Sequence, residues 1–324
     1  MPDELDVSIV IPVLNEADNL SAVLGDCANQ RQPAAEVIVV DAGSTDGTRE
    51  LLREREAGWA ALRVLDRPGA RPGAGRNAGI EAARSSIVVT LDGGTRVGPD
   101  WLGTLAGPVL EDPLRRCSVG VALPDPQSPF EAAAGSFSLQ GFRAPYENAR
   151  LLPGFTPPGR NGWCFARRSW EAVGGYDGSL RWGEDKRFAR GLLGLGLELV
   201  VVEDAIVRWR PRSGMRELYR QYRGYGRGLT AAGRERAPVL APLGLYATAA
   251  VLGTAAARGK RGAAGVLVAG AAGYLAGGGL IAAVRQQLPP RALAWVPPIR
   301  VAADLAKIHG FLDVSIGGAD PSRD

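Results

Sequence analysis

The chain has 324 residues, a length typical of about two domains. Its 44 glycines and 23 prolines are spread along the chain, so the sequence is not of low complexity, and a net charge of +4 gives no indication of a nucleic-acid partner. Cys27, Cys117 and Cys164 are far apart and odd in number, which argues against a disulfide framework and indicates a reduced compartment. The acidic first residues lead directly into a strand, so we expect no signal peptide.

Short apolar strands alternate with helical segments over the first two thirds of the chain. This order predicts an α/β fold, with a mostly parallel sheet, right-handed crossovers and flanking helices. Residues 124–159 are rich in Pro, Gly and Ser, and we expect a long loop there that forms one wall of an acceptor cleft. The predicted strands cover residues 7–12, 36–41, 62–65, 88–91, 117–123, 162–166 and 197–202, and the predicted helices cover 19–27, 49–55, 76–83, 99–111 and 168–173.

Two of the predicted strands end in a carboxylate, at Asp41 and Asp92. Ligands of open α/β sheets bind at the carboxyl ends of the strands, so both acids are candidates for a binding site. Asp41 suits a hydrogen bond to a ribose or a base edge, and its structural alternative is a helix cap. Asp92 suits a divalent cation or a phosphate, and its alternative is an ordinary Asp-Gly turn. Arg76 suits a phosphate, although it could also be a solvated surface residue.

Two later segments also carry candidate residues. Glu184 and Asp185 begin a helix, where acids favour the helix dipole, and a role as a general base requires one of them to face the cleft. Arginines alternate with Trp and Tyr over residues 208–227. Next to an apolar C-terminal third, this pattern favours phosphates at a membrane surface over nucleic acid.

The C-terminal third contains two uncharged segments, residues 237–257 and 262–284, and both are long enough to span a bilayer. The basic link at 258–261 would lie outside the cell if the enzyme domain is cytosolic, against the positive-inside tendency. A buried soluble hairpin therefore remains an alternative. Residues 300–312 are predicted to form an amphipathic helix at the membrane interface, and residues 313–324 a flexible tail.

Several motifs occur in one order and together resemble the family-two glycosyltransferases with the GT-A fold, over about residues 7–230. The basic stretches near 208–212 and 221–228 resemble a membrane-associated branch that builds cell-surface polysaccharides. The resemblance divides the chain into a glycosyltransferase domain at 1–230 and a membrane-associated helical region at 231–312. The motifs are the segment Pro12 to Glu16, Val-Val-Asp-Ala-Gly-Ser-Thr-Asp-Gly-Thr at 39–48, Arg76-Asn77-x-Gly79, Leu91-Asp92, and Gly-Gly-Tyr-Asp followed by Glu-Asp within 174–185.

The resemblance implies an inverting hexosyltransferase that uses a nucleotide-sugar donor and a lipid-linked or polysaccharide acceptor. It implies a location at the cell membrane, with the catalytic domain on the cytoplasmic side. Asp185, next to Glu184, matches the catalytic base. Donor-binding positions are Pro12, Asn15, Glu16, Asp41, Asp46, Arg76 and Asp92, and the positions implied for the diphosphate or acceptor are Trp163, Arg208, Arg210, Arg212, Gln221 and Arg223.

One motif departs from the family pattern. Asp92 matches the first acid of the Asp-x-Asp metal motif, but Gly94 occupies the place of the second acid. We expect Mg²⁺ or Mn²⁺ as the cofactor, held by Asp92, with further ligands from donor phosphates, water or elsewhere in the chain. Arginines could take over part of the charge neutralisation, so the departure bears on metal dependence more than on activity.

Three other functions are alternatives to a glycosyltransferase. A nucleotidyltransferase would need a Gly-rich basic loop after the first strand, where Pro12, Asn15 and Glu16 stand instead. A dinucleotide-binding dehydrogenase would need its glycines in that same place, whereas Gly73 and Gly75 come much later. A catalytically degenerate membrane scaffold is favoured by the missing second acid and opposed by the acidic pair at 184–185.

Overall fold

The computed structural model describes residues 4–139, 159, 162–231, 237–275, 283–284 and 287–315. The chain forms two compact units. The first unit comprises Met1–Leu123 and Pro145–Trp209, and the second comprises Pro124–Ala144 and Arg210–Asp324. The functional division at residue 230 stays a prediction, since these units divide the chain elsewhere.

The first unit is built on one sheet of eight strands. The strands are β1 (Leu5–Val13), β2 (Ala34–Asp41), β3 (Leu62–Asp66), β4 (Ile87–Thr90), β5 (Thr95–Val97), β6 (Arg116–Pro124), β7 (Trp163–Ala166) and β8 (Glu198–Trp209). Their order is β3-β2-β1-β4-β7-β6-β8-β5. The pairs β3–β2, β2–β1 and β1–β4 are parallel, whereas β4–β7, β6–β7 and β5–β8 are antiparallel. The sheet is therefore less parallel than the sequence predicts.

Helices flank the sheet and also make up the second unit. They are α1 (Ala17–Ala28), α2 (Thr48–Gly58), α3 (Pro72–Ala82), α4 (Trp101–Glu111), α5 (Pro129–Leu139), α6 (Arg167–Val173), α7 (Glu184–Gly194), α8 (Met215–Ala231), α9 (Ala237–Ala257), α10 (Arg261–Leu275), α11 (Pro290–Leu293) and α12 (Val296–Ser315). The predicted alternation of strands and helices is confirmed, and with it the α/β class.

The core of the first unit lies on both faces of the sheet. Successive side chains of a strand point to opposite faces, so Ile9 and Val37 join one apolar cluster while Val10 and Ile38 join the other. Strands that are buried on both faces need continuous apolar runs, which is why β1, β2 and β4 consist largely of Val and Ile. The polar ends of these strands are thereby left at the edge of the sheet.

Three local predictions need correction. The loop predicted at 124–159 is wrong for its first part, because α5 forms there and buries Phe130, Ala133 and Ala134 in the core of the second unit. Residues 140–158 lie outside the described residues. The strand predicted at 197–202 continues to Trp209, where it pairs with β5, a strand that the sequence analysis did not predict. Finally, α3 begins at Pro72, so Arg76 lies inside this helix and not at its start.

The observed C-terminal helices agree only in part with the segments predicted from the sequence. Among the described residues, one helix is long and apolar enough to cross a membrane, at Val239–Ala257. The second predicted span is helical from Arg261 to Leu275, and residues 276–282 lie outside the described part, so that span stays a prediction. Helix α12 extends beyond 300–312 and includes Asp313–Ser315, which were predicted as part of a tail. Its buried residues, among them Ile299 and Ala303, pack within the second unit, and its interfacial role stays a prediction.

In the second unit, α8 and α12 cross at two glycines. A methyl group at Gly226 would overlap the carbonyl oxygen of Lys307, and a methyl group at Gly310 would overlap that of Arg223. We expect Gly226→Ala and Gly310→Ala each to lower the free energy of unfolding by about 1–3 kcal/mol, because a backbone cannot move aside cheaply. Thermal unfolding of the purified variants measures the effect.

A matched control exists in α4, where a methyl group at Gly107 meets no described atom within 4 Å. Gly107→Ala should leave the unfolding midpoint unchanged or raise it slightly, since alanine favours a helix over glycine by about 1 kcal/mol. If Gly226→Ala and Gly310→Ala matched this control, close packing of α8 on α12 would be refuted.

Candidate active site

Arg76 joins three segments of the first unit. Its side chain is 6% exposed, and its Nη1 donates a hydrogen bond to Glu184 Oε1 at 2.9 Å while Nη2 donates to Asp92 Oδ1 at 2.6 Å. The guanidinium carbon lies 5.4 Å from the centre of the Tyr176 ring. Helix α3, the turn after β4 and the start of α7 therefore meet at one cation, which we call the Arg76 cluster: Arg76, Asp92, Tyr176 and Glu184.

Burial sets the electrostatics of this cluster. Burial disfavours the charge on Arg76, but the carboxylates of Asp92 and Glu184 outweigh it and hold the pKa of the guanidinium above its ordinary value. Burial also raises the pKa of Glu184 above the ordinary glutamate value, and Arg76 offsets part of that effect. The pKa of the Tyr176 hydroxyl is raised by burial as well. The buried carboxylate of Glu184 is thus paired with the guanidinium of Arg76.

Asp185 lies beside the cluster but has a different environment. It is half-exposed, whereas the Glu184 side chain is only 8% exposed. Its Oδ2 accepts a hydrogen bond from Gly159 N at 2.7 Å, and its Oδ1 accepts one from Lys186 N at 2.7 Å. A methyl group at Gly159 would lie 3.0 Å from Asp185 Cβ and 3.6 Å from Arg76 Nη2, so this glycine separates the two side chains. Of the acidic pair, Asp185 is the more exposed residue.

Asn77 holds the turn that carries Tyr176. Its Oδ1 accepts hydrogen bonds from Trp170 Nε1 at 3.0 Å and from Tyr176 N at 2.8 Å, and its Nδ2 donates to Tyr176 O at 2.8 Å. The turn needs positive φ angles, which Gly174 and Gly175 supply at 82° and 76°. The motifs Arg76-Asn77 and Gly-Gly-Tyr-Asp, which are about 100 residues apart, therefore form one structural unit.

We expect Asn77→Ala to destabilise the first unit by about 1–3 kcal/mol, because it leaves two donors and one acceptor of the turn without partners. Asn77→Asp keeps the acceptor for Trp170 and Tyr176 but sets a carboxylate oxygen against Tyr176 O, so it should recover only part of this loss. Urea denaturation of the two variants measures the difference. Equal stability of the two variants would contradict the role assigned to Oδ1.

The loop after β1 and the loop after β2 are tied together. Asn15, at φ 55°, receives a hydrogen bond from Thr45 N at its Oδ1 and donates its own N–H to Ser44 Oγ. Asp46 is exposed and accepts from Ala17 N at 3.1 Å. Its bonds to Thr48 and Ala17 hold the pKa of the Asp46 carboxyl below its ordinary value. These predicted donor-binding residues lie together at the carboxyl edge of the sheet.

Asp41 lies on the same edge, but its carboxylate points inward. It is fully buried and accepts hydrogen bonds from the N–H and Oγ of Ser44, with Arg49 Nε at 3.4 Å. Strand β1, with the half-buried Pro12, lies between β2 and β4, so the ends that carry Asp41 and Asp92 are roughly 10 Å apart. The structure brings Asp92 and Asp185 to the Arg76 cluster, and it places Asp41 in its own turn. The ribose contact of Asp41 stays a prediction.

The residues predicted for the diphosphate or acceptor are more dispersed. Trp163 is 2% exposed, within β7, and Arg208 lies in β8 opposite Arg96. Four others belong to the second unit and their roles stay predictions. In that unit Arg210 pairs with Glu131 at 2.9 Å, Arg212 is exposed, Gln221 donates to Tyr225 at 2.8 Å, and Arg223 pairs with Asp313 at 2.8 Å.

A divalent cation has a partial set of ligands here. The described part of the chain contains no group of three or more metal-ligating side chains. The Asp92 side chain is 36% exposed, and within that same part its Oδ2 has no hydrogen-bond donor.

Tyr176, Asn77 and Gly159 were not assigned a role from the sequence. Tyr176 and Asn77 stand inside the quoted motifs, so the motifs were the available signal, whereas no pattern pointed to Gly159.

Comparison with known proteins identifies the family of one domain of the chain. Residues 8–168 match the family described as Glycosyl transferase family 2. Glycosyltransferase AglE of Haloferax volcanii is 39% identical over 101 residues, which are 30% of this chain and 33% of that protein. Succinoglycan biosynthesis protein ExoA of Rhizobium meliloti is 29% identical over 236 residues, 68% of each protein. The chain thus spans about a third of AglE and about two thirds of ExoA.

A solved structure gives the fold. The mannosyltransferase PcManGT from Pyrobaculum calidifontis, in complex with GDP-Man and Mn²⁺, superposes with a TM-score of 0.66 at 21% identity, over 97% of this chain and 90% of that one. The GT-A fold expected from the motifs is therefore confirmed. The chain carries a Glycosyl transferase family 2 domain with the GT-A fold.

Proposed function

We propose that the chain is an inverting glycosyltransferase that moves a sugar from a nucleotide-sugar donor to a hydroxyl group of a lipid-linked or polysaccharide acceptor. The Arg76 cluster carries this proposal, because it joins Asp92, at the ligand edge of the sheet, to the acidic pair that begins α7. The names of one relative and one structural neighbour support it: ExoA is named for succinoglycan biosynthesis, and PcManGT is a mannosyltransferase seen with GDP-Man.

Asp185 acts as the general base. Two backbone N–H groups hold its carboxylate, and its exposure lets it reach an acceptor hydroxyl. It takes the hydroxyl proton as the acceptor oxygen bonds to the anomeric carbon. The bond from that carbon to the nucleoside diphosphate breaks on the opposite face, so the anomeric configuration inverts. Glu184 is a positioning residue, since its carboxylate accepts from the buried Arg76.

Asp92 lies on the donor side of the same cluster. It would hold Mg²⁺ or Mn²⁺, which when bound neutralises charge on the diphosphate leaving group. The side chain suits this role because one oxygen accepts from Arg76 while Oδ2 has no donor among the described residues. Arg76 fixes the Asp92 carboxylate, and the backbone oxygen of Asp92 accepts from Thr95 Oγ1 at 2.6 Å. Asp92 therefore enters the reaction already oriented.

We expect Asp92→Ala to weaken binding of a nucleoside diphosphate most strongly when Mg²⁺ or Mn²⁺ is present, because its carboxylate would be lost as a metal ligand. Calorimetric titration with UDP and GDP, with metal and with EDTA, measures the difference. If the loss were equal with and without metal, Asp92 would act by direct contact to the nucleotide instead.

We also place the enzyme at the cytoplasmic face of the cell membrane. Helix α9 is apolar on all sides and exposes Leu240, Leu243 and Val251, as a bilayer-facing helix does. Basic residues of α8 precede it, which suits anionic headgroups. Protease treatment of intact cells and of inverted vesicles tests the sidedness. Cleavage of the first unit in intact cells would contradict the cytoplasmic placement.

The overall function is tested in two stages. A thermal-shift screen of detergent-purified protein against nucleoside diphosphates, with and without Mg²⁺ or Mn²⁺, identifies the donor class, because a bound ligand raises the unfolding midpoint by mass action. Transfer of radiolabelled sugar from nucleotide sugars of that class to membrane lipid extracts or polysaccharide then follows. Nucleotide binding with neither transfer nor hydrolysis would support the scaffold alternative and contradict the proposal.

A further inference from the structure

The turn after Asp92 packs against the side chain of Glu16. A methyl group at Gly93 would lie 3.5 Å from Glu16 Cγ, and a methyl group at Gly94 would lie 3.5 Å from both Glu16 Oε1 and Oε2. The Glu16 side chain thus runs along the turn, and its carboxylate ends where a side chain of residue 94 would begin. Residue 94 is the place of the second acid in the Asp-x-Asp motif.

We propose that Glu16 supplies the second carboxylate of the divalent-cation site, in place of the acid missing at Gly94. An aspartate at position 94 would bring its carboxylate against that of Glu16, and two anions so close repel each other strongly. One position or the other can carry the acid, and this chain carries it on the loop after β1. The inference rests on the proposed function, because it takes the metal to be that of a nucleotide-sugar transferase.

The surroundings of Glu16 fit a ligand that is held in place. Its backbone N–H donates to Thr48 Oγ1 at 2.9 Å, and its backbone oxygen accepts from Leu20 N at 2.8 Å at the start of α1. Its Oε2 accepts from Asn19 Nδ2 at 2.8 Å. The side chain is half-buried, so it borders solvent at the carboxyl edge of the sheet. Divalent Mg²⁺ takes one or two carboxylates together with phosphates, which is the set that Asp92, Glu16 and a donor diphosphate would form.

The metal-ligand role proposed for Glu16 differs from the role implied by the family resemblance, in which Glu16 contacts the nucleoside. It also differs from a purely structural role, in which Glu16 only favours the positive end of the α1 dipole. Under either alternative the loss of the Glu16 charge removes no metal ligand, so Mn²⁺ affinity should fall far less than it does when a ligand is lost. Only a ligand role predicts that an acid restored at position 94 can replace it.

The test is a set of three variants: Glu16→Gln, Gly94→Asp and the double variant Glu16→Gln/Gly94→Asp. Binding of Mn²⁺ is measured by electron paramagnetic resonance on the full chain in detergent, alone and with UDP or GDP. Changes to outer-shell partners cost about 10–100-fold in metal affinity, so loss of a direct ligand should weaken Mn²⁺ binding by at least about tenfold in Glu16→Gln. The double variant should recover most of that loss, and Gly94→Asp alone should not improve on the wild type.

Glutamine keeps an oxygen for Asn19, so Glu16→Gln should unfold at the wild-type temperature, and Glu50→Gln, in the first turn of α2, is the matched control. Unchanged Mn²⁺ affinity in Glu16→Gln, or a double variant that recovers nothing, would overturn the proposal, as would a wild type that binds no Mn²⁺. The readout needs no turnover. Glu16-dependent Mn²⁺ binding without sugar transfer would contradict the proposed function alone, and transfer with Glu16-independent Mn²⁺ binding would contradict this inference alone.

Discussion

Replacing Asp185 with asparagine should abolish sugar transfer while leaving the affinity for the nucleotide donor nearly unchanged. A positioned general base contributes about 10²–10⁴-fold to a rate, so turnover should fall by that factor. The amide is the same size as the carboxylate, and its single oxygen can keep one of the two bonds, from Gly159 N or from Lys186 N, but it cannot take a proton. Initial rates of transfer and calorimetric titration of the donor measure the two quantities.

Two further variants serve as controls for Asp185→Asn. Asp204→Asn removes an exposed acid of β8 that is not part of the Arg76 cluster, and it should transfer sugar at the wild-type rate. Glu184→Gln keeps an oxygen for Arg76 Nη1, so it should lose stability as well as activity, because the buried cation has lost one charged partner. Retained turnover in Asp185→Asn, or a parallel loss of donor binding, would remove Asp185 from the role of base.

The sequence predicted the part of the fold that depends on local pattern. Strands β1, β2 and β4 are buried on both faces, so their apolar runs are nearly continuous and their ends are easy to locate. Helix α5 was missed because its flanking Pro, Gly and Ser residues resemble a loop, and its helical form is stabilised by the burial of Phe130 and Ala133. Strand β5 has only three residues and exists through its pairing with β8.

The site was predictable as a set of residues but not as an arrangement. Motifs placed Arg76, Asp92 and Asp185 among the functional residues, and the structure brings them to one place. Nothing in the sequence pairs Arg76 with Glu184, because the two are 108 residues apart and the contact is made by tertiary packing. The same limit applies to Glu16, whose nearness to Gly94 follows only from the side-by-side placement of β1 and β4.

Arg76→Met should be the most damaging single change in the first unit. It leaves the buried Glu184 without its cation, and breaking a buried ion pair in this way costs about 3–5 kcal/mol. Sugar transfer should also be lost, since Asp92 and the start of α7 share this anchor. Arg76→Lys should restore little activity, because one ammonium group cannot reproduce a planar fork that donates to Glu184 from Nη1 and to Asp92 from Nη2.

The pH dependence of stability separates the loss of charge from the loss of packing. Without Arg76, burial should raise the pKa of Glu184 further above its ordinary value, so the folded state favours the protonated acid. A carboxyl whose pKa is raised on folding contributes stability at low pH and loses that contribution as the pH rises through the raised pKa. The stability deficit of Arg76→Met relative to the wild type should therefore be smaller at about pH 5 than at about pH 8.

The double variant Arg76→Met/Glu184→Gln tests whether the pH dependence comes from Glu184. With no ionisable group at position 184, its stability should recover in part, and its deficit should no longer change with pH, whereas transfer should stay lost because Asp92 still lacks its partner. Urea denaturation at the two pH values gives the free energies of unfolding. A stability deficit in Arg76→Met that is equal at both pH values would mean that the guanidinium stabilises the fold by packing. The positive charge of Arg76 would then not be required in the Arg76 cluster.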